Sequence, residues 1–547
     1  MGAGLVLMLL LAACQPSASE SPSGSEAPAS EAPAAEQVLR VTLGTEPPTL
    51  DPNLATDSES VNVLRQITHP LVYFDADLNI APGIADIPEI SDDGMTITYT
   101  LREGFSYSDG EPIVAGDFVY SWKRLIDPRT ASEYSYVLDA VANGAEIRSA
   151  DPATDDIDAM LDEFGVAAPD DQTFVVTLGA PATWFVYVST MWLTVPLRED
   201  MQFTEAEGYI ASGPMMLEEW NHGASVHVVP NPGWGGEPVT LERIEYSVIA
   251  DSSVELAAYE AGDLDLAAPP PAEIPRLEDD PVVSQEILRG NTLNVEYYGF
   301  DFIDPNSPFA RSPLLRKAFH EAVDKDTMIA VPYGGVGSAA SSLVPPGMPG
   351  YQEDVFVPYD VEQAREDFDA ALVELGLASA ADLQLQIGYN TEGTHADRVA
   401  FLQEQWREAF GVELEPVGME FGTYLDRLST DPFDIFRLGW IADFPHPHNF
   451  LFDLLGCTSP NNNTGYCNED ADEIMAQGAV ESDPDAQIAL YNQAQEMMIL
   501  DNPLMPFRWG GRFTLVKPYV VGLTPIAMDS DAGSHFYPWV TIAAHEE

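Results

Sequence analysis

The run Phe433-Asp-Ile-Phe-Arg-Leu-Gly-Trp-Ile-Ala-Asp-Phe-Pro-His-Pro-His-Asn-Phe-Leu-Phe-Asp453 sets one carboxylate, Asp443, among Trp440, Phe444, Phe450 and Phe452. A carboxylate in aromatic surroundings is costly unless a cation meets it. No lysine stands nearby in sequence, and Arg437 is six residues back. The chemistry this suggests is recognition of an amine carried by a ligand. Two readings compete with it: Asp443 caps a loop, or it pairs with an arginine of the protein. Arg437 is the nearest candidate for that internal pairing, with either Asp443 or Asp434.

Metal capture is the second chemistry to weigh. Asp443, His446 and His448 make a possible trio for nickel or a metal chelate. Pro445 and Pro447 imply an extended backbone there, which would point two histidines two residues apart to opposite sides. That disfavours a metal site, and no cofactor is expected. An enzyme is the third class. The chain has no Gly-x-Ser-x-Gly elbow, no His-Glu-x-x-His helix and no phosphate-binding loop. His320-Glu321 is followed by Ala-Val-Asp, not by a second histidine at the required spacing.

The surrounding elements explain how Asp443 is positioned. Phe433 to Trp440 reads as a buried strand. Leu383–Tyr389 and Val412–Val417 read as two more strands. Asp397–Phe410, with Val399, Leu402, Trp406 and Phe410 on one side, and Phe421–Leu428 read as helices. This β-α-β-α-β order implies a parallel or mixed sheet covered by helices. Ligands of such sheets sit beyond the carboxyl ends of strands, where Asp443 falls. Further upstream, Thr96–Leu101 alternates as a strand and Gly116–Leu125 has helical spacing. Ser312-Pro313 is a helix start, with a cap followed by proline in the first turn. The 547 residues suffice for two or three α/β domains.

Charge bounds the partners. There are 23 Lys+Arg against 89 Asp+Glu, a net −66, with only four lysines (Lys123, Lys317, Lys325, Lys517). Such a chain has no basic face for nucleic acid. It is also disfavoured at an anionic membrane surface. Hydrophobic residues make up 45% of the chain, so this is not a disordered acidic polymer. The excess carboxylates form a solvated surface. Such a surface suits a salty habitat, where the Debye length falls to about 3 Å at molar salt.

The N-terminus points outside the cytoplasm. Leu5–Leu11 is a short apolar run, and Leu11-Ala-Ala-Cys14 resembles a lipoprotein signal. Met1-Gly-Ala-Gly4 lacks the usual Lys or Arg. Residues 1–13 are thus expected to be a signal peptide, with Cys14 lipidated as a membrane anchor. Residues 14–36 form a Pro/Ala/Ser/Glu tether. The other two cysteines, Cys457 and Cys467, flank a turn-rich loop and outside the cytoplasm read as a disulfide. Free thiols and metal ligands are the alternatives.

Several motifs in chain order carry a family resemblance. Thr45-Glu-Pro-Pro-Thr-Leu-Asp-Pro52 comes first, then Leu101-Arg-Glu-Gly-Phe-Ser-Tyr-Ser-Asp-Gly110 and Asp117-Phe-Val-Tyr-Ser-Trp-Lys-Arg124. Asp127-Pro-Arg-Thr-Ala-Ser132, Ser212-Gly-Pro214, Trp220 and Asn231-Pro232 follow. Ala261-Gly-Asp-Leu-Asp265, Leu315-Arg-Lys-Ala-Phe319 and Gly439-Trp-Ile-Ala-Asp-Phe444 complete the series. In this order they resemble bacterial extracellular solute-binding proteins of the peptide/nickel class (family 5), above all the oligopeptide receptors of ABC importers.

The resemblance implies an α/β, two-lobed fold of the periplasmic-binding-protein type (type II), with an extra domain in the first lobe. Lobe I would comprise 37–72, 190–291 and 504–547, the extra domain 73–189, and lobe II 292–503. It implies a monomer that carries short peptides to permease and ATPase subunits. It also implies site roles. Asp443 would meet the peptide's α-ammonium. Arg437 and His395 would reach its carboxylate. Tyr134 would close on the ligand from the extra domain, and Trp440 and Trp509 would wall the pocket. Thr56 and Ser58 would lie in the stretch that bonds the ligand's backbone. Each has a plain structural alternative: core packing for Trp440, Trp509 and Tyr134, and a helix cap or surface position for His395.

Overall fold

In Val38–Leu43 every second residue is apolar and buried, with Leu39, Val41 and Leu43 facing inward. This strand lies parallel to Arg243–Val248, and Ser225–Pro230 and Met215–Asn221 extend the sheet antiparallel. Helix Ser58–Ile67 covers it through Val63, Leu64 and Ile67. Asp57 caps that helix by accepting from the backbone N of Ser60 at 2.8 Å. This computed structural model describes residues 36–545, apart from 354, 356 and 392–394. The leader, Cys14 and the tether up to residue 35 lie outside the described residues.

A separate antiparallel sheet is built from Glu89–Ile90, Thr96–Thr100, Thr173–Thr177 and Val166–Asp170. Helix Ala115–Ile126 packs Phe118, Trp122 and Leu125 onto it, around Tyr99 and Phe174. It is the counterpart of the strand at 96–101 and the helix at 116–125 read from the sequence. Its core is distinct from that of the first sheet.

The largest sheet has seven strands and contains the β-α-β-α-β unit. Leu385–Asn390 runs parallel to both Leu414–Met419 and Ile435–Ile441, with helices His395–Phe410 and Phe421–Thr430 between them. Pro313–Glu321 begins where the sequence indicates, with Ser312 accepting from the backbone N of Leu315.

Two long strands, Ile287–Phe300 and Leu504–Val516, join the halves of the molecule. They pair antiparallel from Ile287↔Leu515 to Asn291↔Gly511. The register then shifts, and pairing resumes at Val295↔Trp509. Beyond the shift, Ile287–Phe300 also pairs with Ile435–Ile441. Leu504 is where the second strand starts, and the register shift puts the change of surroundings near Gly510 and Gly511. There is no room for a side chain there, since a Cβ on Gly511 would lie 2.5 Å from the backbone N of Gly337. Gly511→Ala is expected to destabilise the protein by about 1–3 kcal/mol, the usual cost of overpacking. Thermal unfolding at unchanged Tm would show that the backbone gives way freely.

The prolines after Asp443 act differently from the expectation. Pro447 has φ −61° and ψ −24°, and helix His448–Leu455 starts immediately after it. Proline fixes φ near the helical value and restrains only its predecessor to extended backbone. The segment therefore turns into a helix and does not stay extended. His446 and His448 then converge on one neighbour, with ring centroids 5.2 and 6.0 Å from Tyr491. Nearby, Cys457 and Cys467 form a disulfide with Cα atoms 4.6 Å apart.

Candidate functional site

Asp443 lies two residues past the end of strand Ile435–Ile441 and is half-buried. Asn449, in the first turn of the helix that follows Pro447, organises its surroundings. Its Nδ2 donates to Asp443 Oδ2 (2.9 Å) and to Asp453 Oδ2 (2.8 Å). Its Oδ1 accepts from the Asp443 backbone N (2.9 Å) and from Trp440 Nε1 (3.3 Å). The hydroxyls of Tyr134 and Tyr136, from the separate antiparallel domain, also hydrogen-bond to Asp443. Tyr134 meets Trp192 edge-on at 5.5 Å, and Trp192 Nε1 donates to Ala55 O at 3.0 Å.

Burial pushes the Asp443 carboxyl up to about 6, against the hydrogen bonds from Asn449, Tyr134 and Tyr136. Burial likewise raises Asp453 to about 7; the Asn449 bond opposes this and the charge of Asp443 adds to it. The Tyr134 phenol is held well above its usual range by the Asp443 charge and by burial. Among the described residues no ion pair reaches Asp443 or Asp453. Two carboxyls joined through one amide, with no ion-pair partner among the described residues, are an arrangement on which an ammonium would gain electrostatic energy, although Arg65 lines the same cavity as Asp443.

Asp443 opens onto a small cavity of about 70 Å³ that His69, Tyr73, Met191 and Trp192 also line. A larger cavity, about 510 Å³, lies between the two halves of the molecule. One wall holds Ser58, Glu255 and Asp531, and the other Tyr333, Arg398 and Arg508. Ala442 and Met528 line both cavities, so the two are neighbours.

Arg437 pairs with neither Asp443 nor Asp434. Its Nε lies 3.2 Å from Glu296 Oε1, and its Nη1 donates to Asn390 Oδ1 at 3.4 Å. Asp434 accepts instead from the backbone N of Gln386. Glu296 also meets Arg398 at 3.3 Å. Burial alone would raise the Glu296 carboxyl, but the two arginines hold it at about 2. His395 begins helix His395–Phe410, and its Nδ1 accepts from Arg398 Nη1 at 2.9 Å.

The residues singled out from sequence thus fall into two groups and some outliers. Asp443, Trp440 and Tyr134 meet through Asn449 and hydroxyl contacts. Arg437 and His395 meet around Glu296 and Arg398. Ser58 lines the larger cavity at the first turn of its helix. Thr56 is exposed and lines neither cavity. Trp509 is 5% exposed, lies in the core with Tyr351 edge-on at 5.3 Å, and donates Nε1 to Ser342 O at 3.1 Å.

Sequence reasoning missed Asn449, Asp453, Tyr136 and Glu296. Glu296 carried a usable signal, being a lone carboxylate inside the apolar run Val295–Phe300. Asn449 and Asp453 are four apart, on one face of a helix hidden by the expectation of extended backbone. Neither histidine of the suggested metal trio is directed to Asp443. His446 Nε2 bonds Gln487 Oε1 at 3.1 Å, and His448 Nδ1 bonds the Tyr491 hydroxyl at 3.0 Å.

Comparison with known proteins fits this architecture. Residues 79–462 match the family model described as bacterial extracellular solute-binding proteins, family 5 Middle. The chain is 30% identical over 518 residues to the oligopeptide-binding protein OppA of Bacillus subtilis (strain 168), covering 92% of each. It is 28% identical over 507 residues to YgiS of Escherichia coli (strain K12), named "Probable deoxycholate-binding periplasmic protein", covering 91% of this chain and 92% of that one. The crystal structure of Haemophilus influenzae OppA in complex with RPPGFSPFR superposes with a TM-score of 0.77 at 26% identity, covering 93% of this chain and 99% of that one. The fold is the type II periplasmic-binding-protein fold. The chain belongs to the bacterial extracellular solute-binding proteins of family 5.

Proposed function

We propose that this protein is the receptor of an ABC importer: it captures short peptides between its lobes and delivers them to permease and ATPase subunits. In this reading Asp443 holds the peptide's α-ammonium, and Cys14 anchors the protein to the membrane through lipid. The observation that carries it is Asp443 itself, a carboxyl with a raised pKa at a cavity, hydrogen-bonded on several sides but without an ion-pair partner among the described residues.

A second feature supports a peptide. Strand Ile435–Ile441 pairs with Leu385–Asn390 only at Ile435 and Phe436. Past Phe436, no strand pairs with that edge among the described residues. An extended ligand can satisfy its N–H and C=O groups on such main chain whatever its sequence. Tyr134, reaching Asp443 from the separate domain, would then close on the ligand. Relatives named for oligopeptides lend weight to the same reading. A deoxycholate-like ligand is a bulky anion with no ammonium, and it would leave Asp443 without a partner. Among the described residues no helix is long and apolar enough to cross a membrane.

Native mass spectrometry on protein refolded from denaturant, with a mixed di- to octapeptide library, tests this directly. Peptides are expected to be retained, and to be lost on N-acetylation. Retention of deoxycholate with no peptide bound would overturn the peptide assignment.

A further inference from the structure

A third cavity, of about 340 Å³, adjoins the smaller one: His69, Tyr73 and Trp539 line both. Its lining comes from residues 69–105, 234–237 and 522–539. Nothing from the seven-stranded sheet or its helices reaches it, so it does not span the space between the halves.

The walls are rings: Tyr73, Phe105, Trp234, Phe536 and Trp539. One carbonyl holds both indoles. Trp234 Nε1 donates to Glu237 O at 2.8 Å, and Trp539 Nε1 to the same atom at 3.3 Å. Phe105 meets Trp234 edge-on at 5.2 Å. Gly236 lies against the Trp234 ring, where a Cβ would stand 2.3 Å from Cζ2. With their N–H groups already spent, the two tryptophans offer a ligand their ring surface.

One polar group is unspent. His69 is 8% exposed, stands edge-on to Trp234 at 4.8 Å, and makes no hydrogen bond among the described residues. Buried polar groups are nearly always hydrogen-bonded, so an unpartnered one beside a cavity marks a place for a ligand's polar atom. Burial, helped by the charge of Arg102, holds the imidazole down at about 3, so it is neutral at pH 7. At the rim the exposed Arg102 and Glu237 oppose each other in sign, and no net charge there selects an ion.

We infer that this cavity seats an aromatic ring bearing one neutral hydrogen-bonding group, a phenol or an indole, against the tryptophan faces with its polar atom on His69. The ring comes either from the first side chain of a bound peptide or from a free aromatic molecule. The first source rests on the peptide reading, since an ammonium on Asp443 would bring that side chain to the partition of His69, Tyr73 and Trp539. The second does not.

Calorimetry separates the sources. Matched peptides begin with Tyr, Phe or Gly, and millimolar indole and 1-methylindole serve as free rings. If the side chain is the source, Tyr-first peptides should bind wild type about ten- to hundredfold tighter than Gly-first ones, the gain from burying an aromatic side chain. They should bind about three- to tenfold tighter than Phe-first ones, the gain from one hydrogen bond. If a free ring is the source, indole should bind whatever the first residue, and 1-methylindole about three- to tenfold more weakly. Trp234→Ala removes a wall, and Thr524→Trp fills the cavity. Both should abolish the preference that wild type shows, while Gly-first peptides bind them as they bind wild type. Thr524→Trp keeps every wall ring, so it decides the matter if Trp234→Ala does not fold. Peptides bound without first-residue preference, with no indole bound, would overturn the site and leave the peptide reading standing. A preference that survives Thr524→Trp would place the ring elsewhere and overturn the site too. If no peptide binds, the peptide reading falls and the indole titration alone decides the site.

Discussion

Asp443→Asn is expected to weaken peptide binding about a hundredfold or more. Removing one member of a desolvated charge pair typically costs about 3–5 kcal/mol, because the partner stays buried and unpaired. Asn keeps the shape and can still accept from Asn449 and the tyrosines, so the loss isolates the charge. The carboxyl's raised pKa adds a linked effect. At pH 5 Asp443, with a pKa of about 6, is largely protonated in the free protein. An ammonium requires the carboxylate, so binding at pH 5 should release close to one proton. Affinity should rise about tenfold between pH 5 and pH 7. Above about pH 8 it should fall again as the peptide amine itself deprotonates. Calorimetry in two buffers of different ionisation enthalpy reads the proton count. An unchanged Kd in Asp443→Asn, or no proton release at pH 5, would remove Asp443 from the site.

Glu296→Leu should cost about 3–5 kcal/mol of stability. Glu296 pairs with Arg437 at 3.2 Å and Arg398 at 3.3 Å, and leucine would leave both guanidiniums without their anion. The pH dependence has a definite sign. The carboxyl is held at about 2 in the folded chain, below the unfolded value of about 4.3. Its contribution is therefore complete above about pH 4.3 and lost as pH falls toward 2. Guanidinium chloride titrations at pH 7 and pH 3 measure both effects. The variant should lose most at pH 7 and less at pH 3. A loss under about 1 kcal/mol at pH 7 would mean that the arginines find other partners.

Elements with strong periodicity were legible in the sequence. The strands and helices around Asp443 were legible because Val399, Leu402 and Trp406 mark one helical face and Ile435 to Trp440 one apolar run. The cap-and-proline start at Ser312-Pro313 was equally plain, because it depends on two adjacent residues. Of the candidate site, only Asp443 and its aromatic surroundings were legible. Asp443 could be found because a lone carboxylate among aromatics demands a partner. Glu296 meets Arg398 and Arg437 from 102 and 141 residues away, and no local pattern encodes such separations. Asn449 escaped because two prolines suggest extended chain, although the second of them starts a helix. Trp509 shows the opposite limit: aromatic residues look alike in sequence whether they line a cavity or fill a core.

The two long strands that cross between the halves are hydrogen-bonded to each other on both sides of the register shift between Asn291 and Val295. Two tapes fastened at both ends and loosened in the middle behave as a leaf spring. They can twist and bend at the gap without surrendering the ladder on either side, but they cannot slide past one another. Bending at that gap is the motion these two strands leave open to the halves. In the receptor reading proposed above, a membrane partner touching both halves would have the angle between them to read.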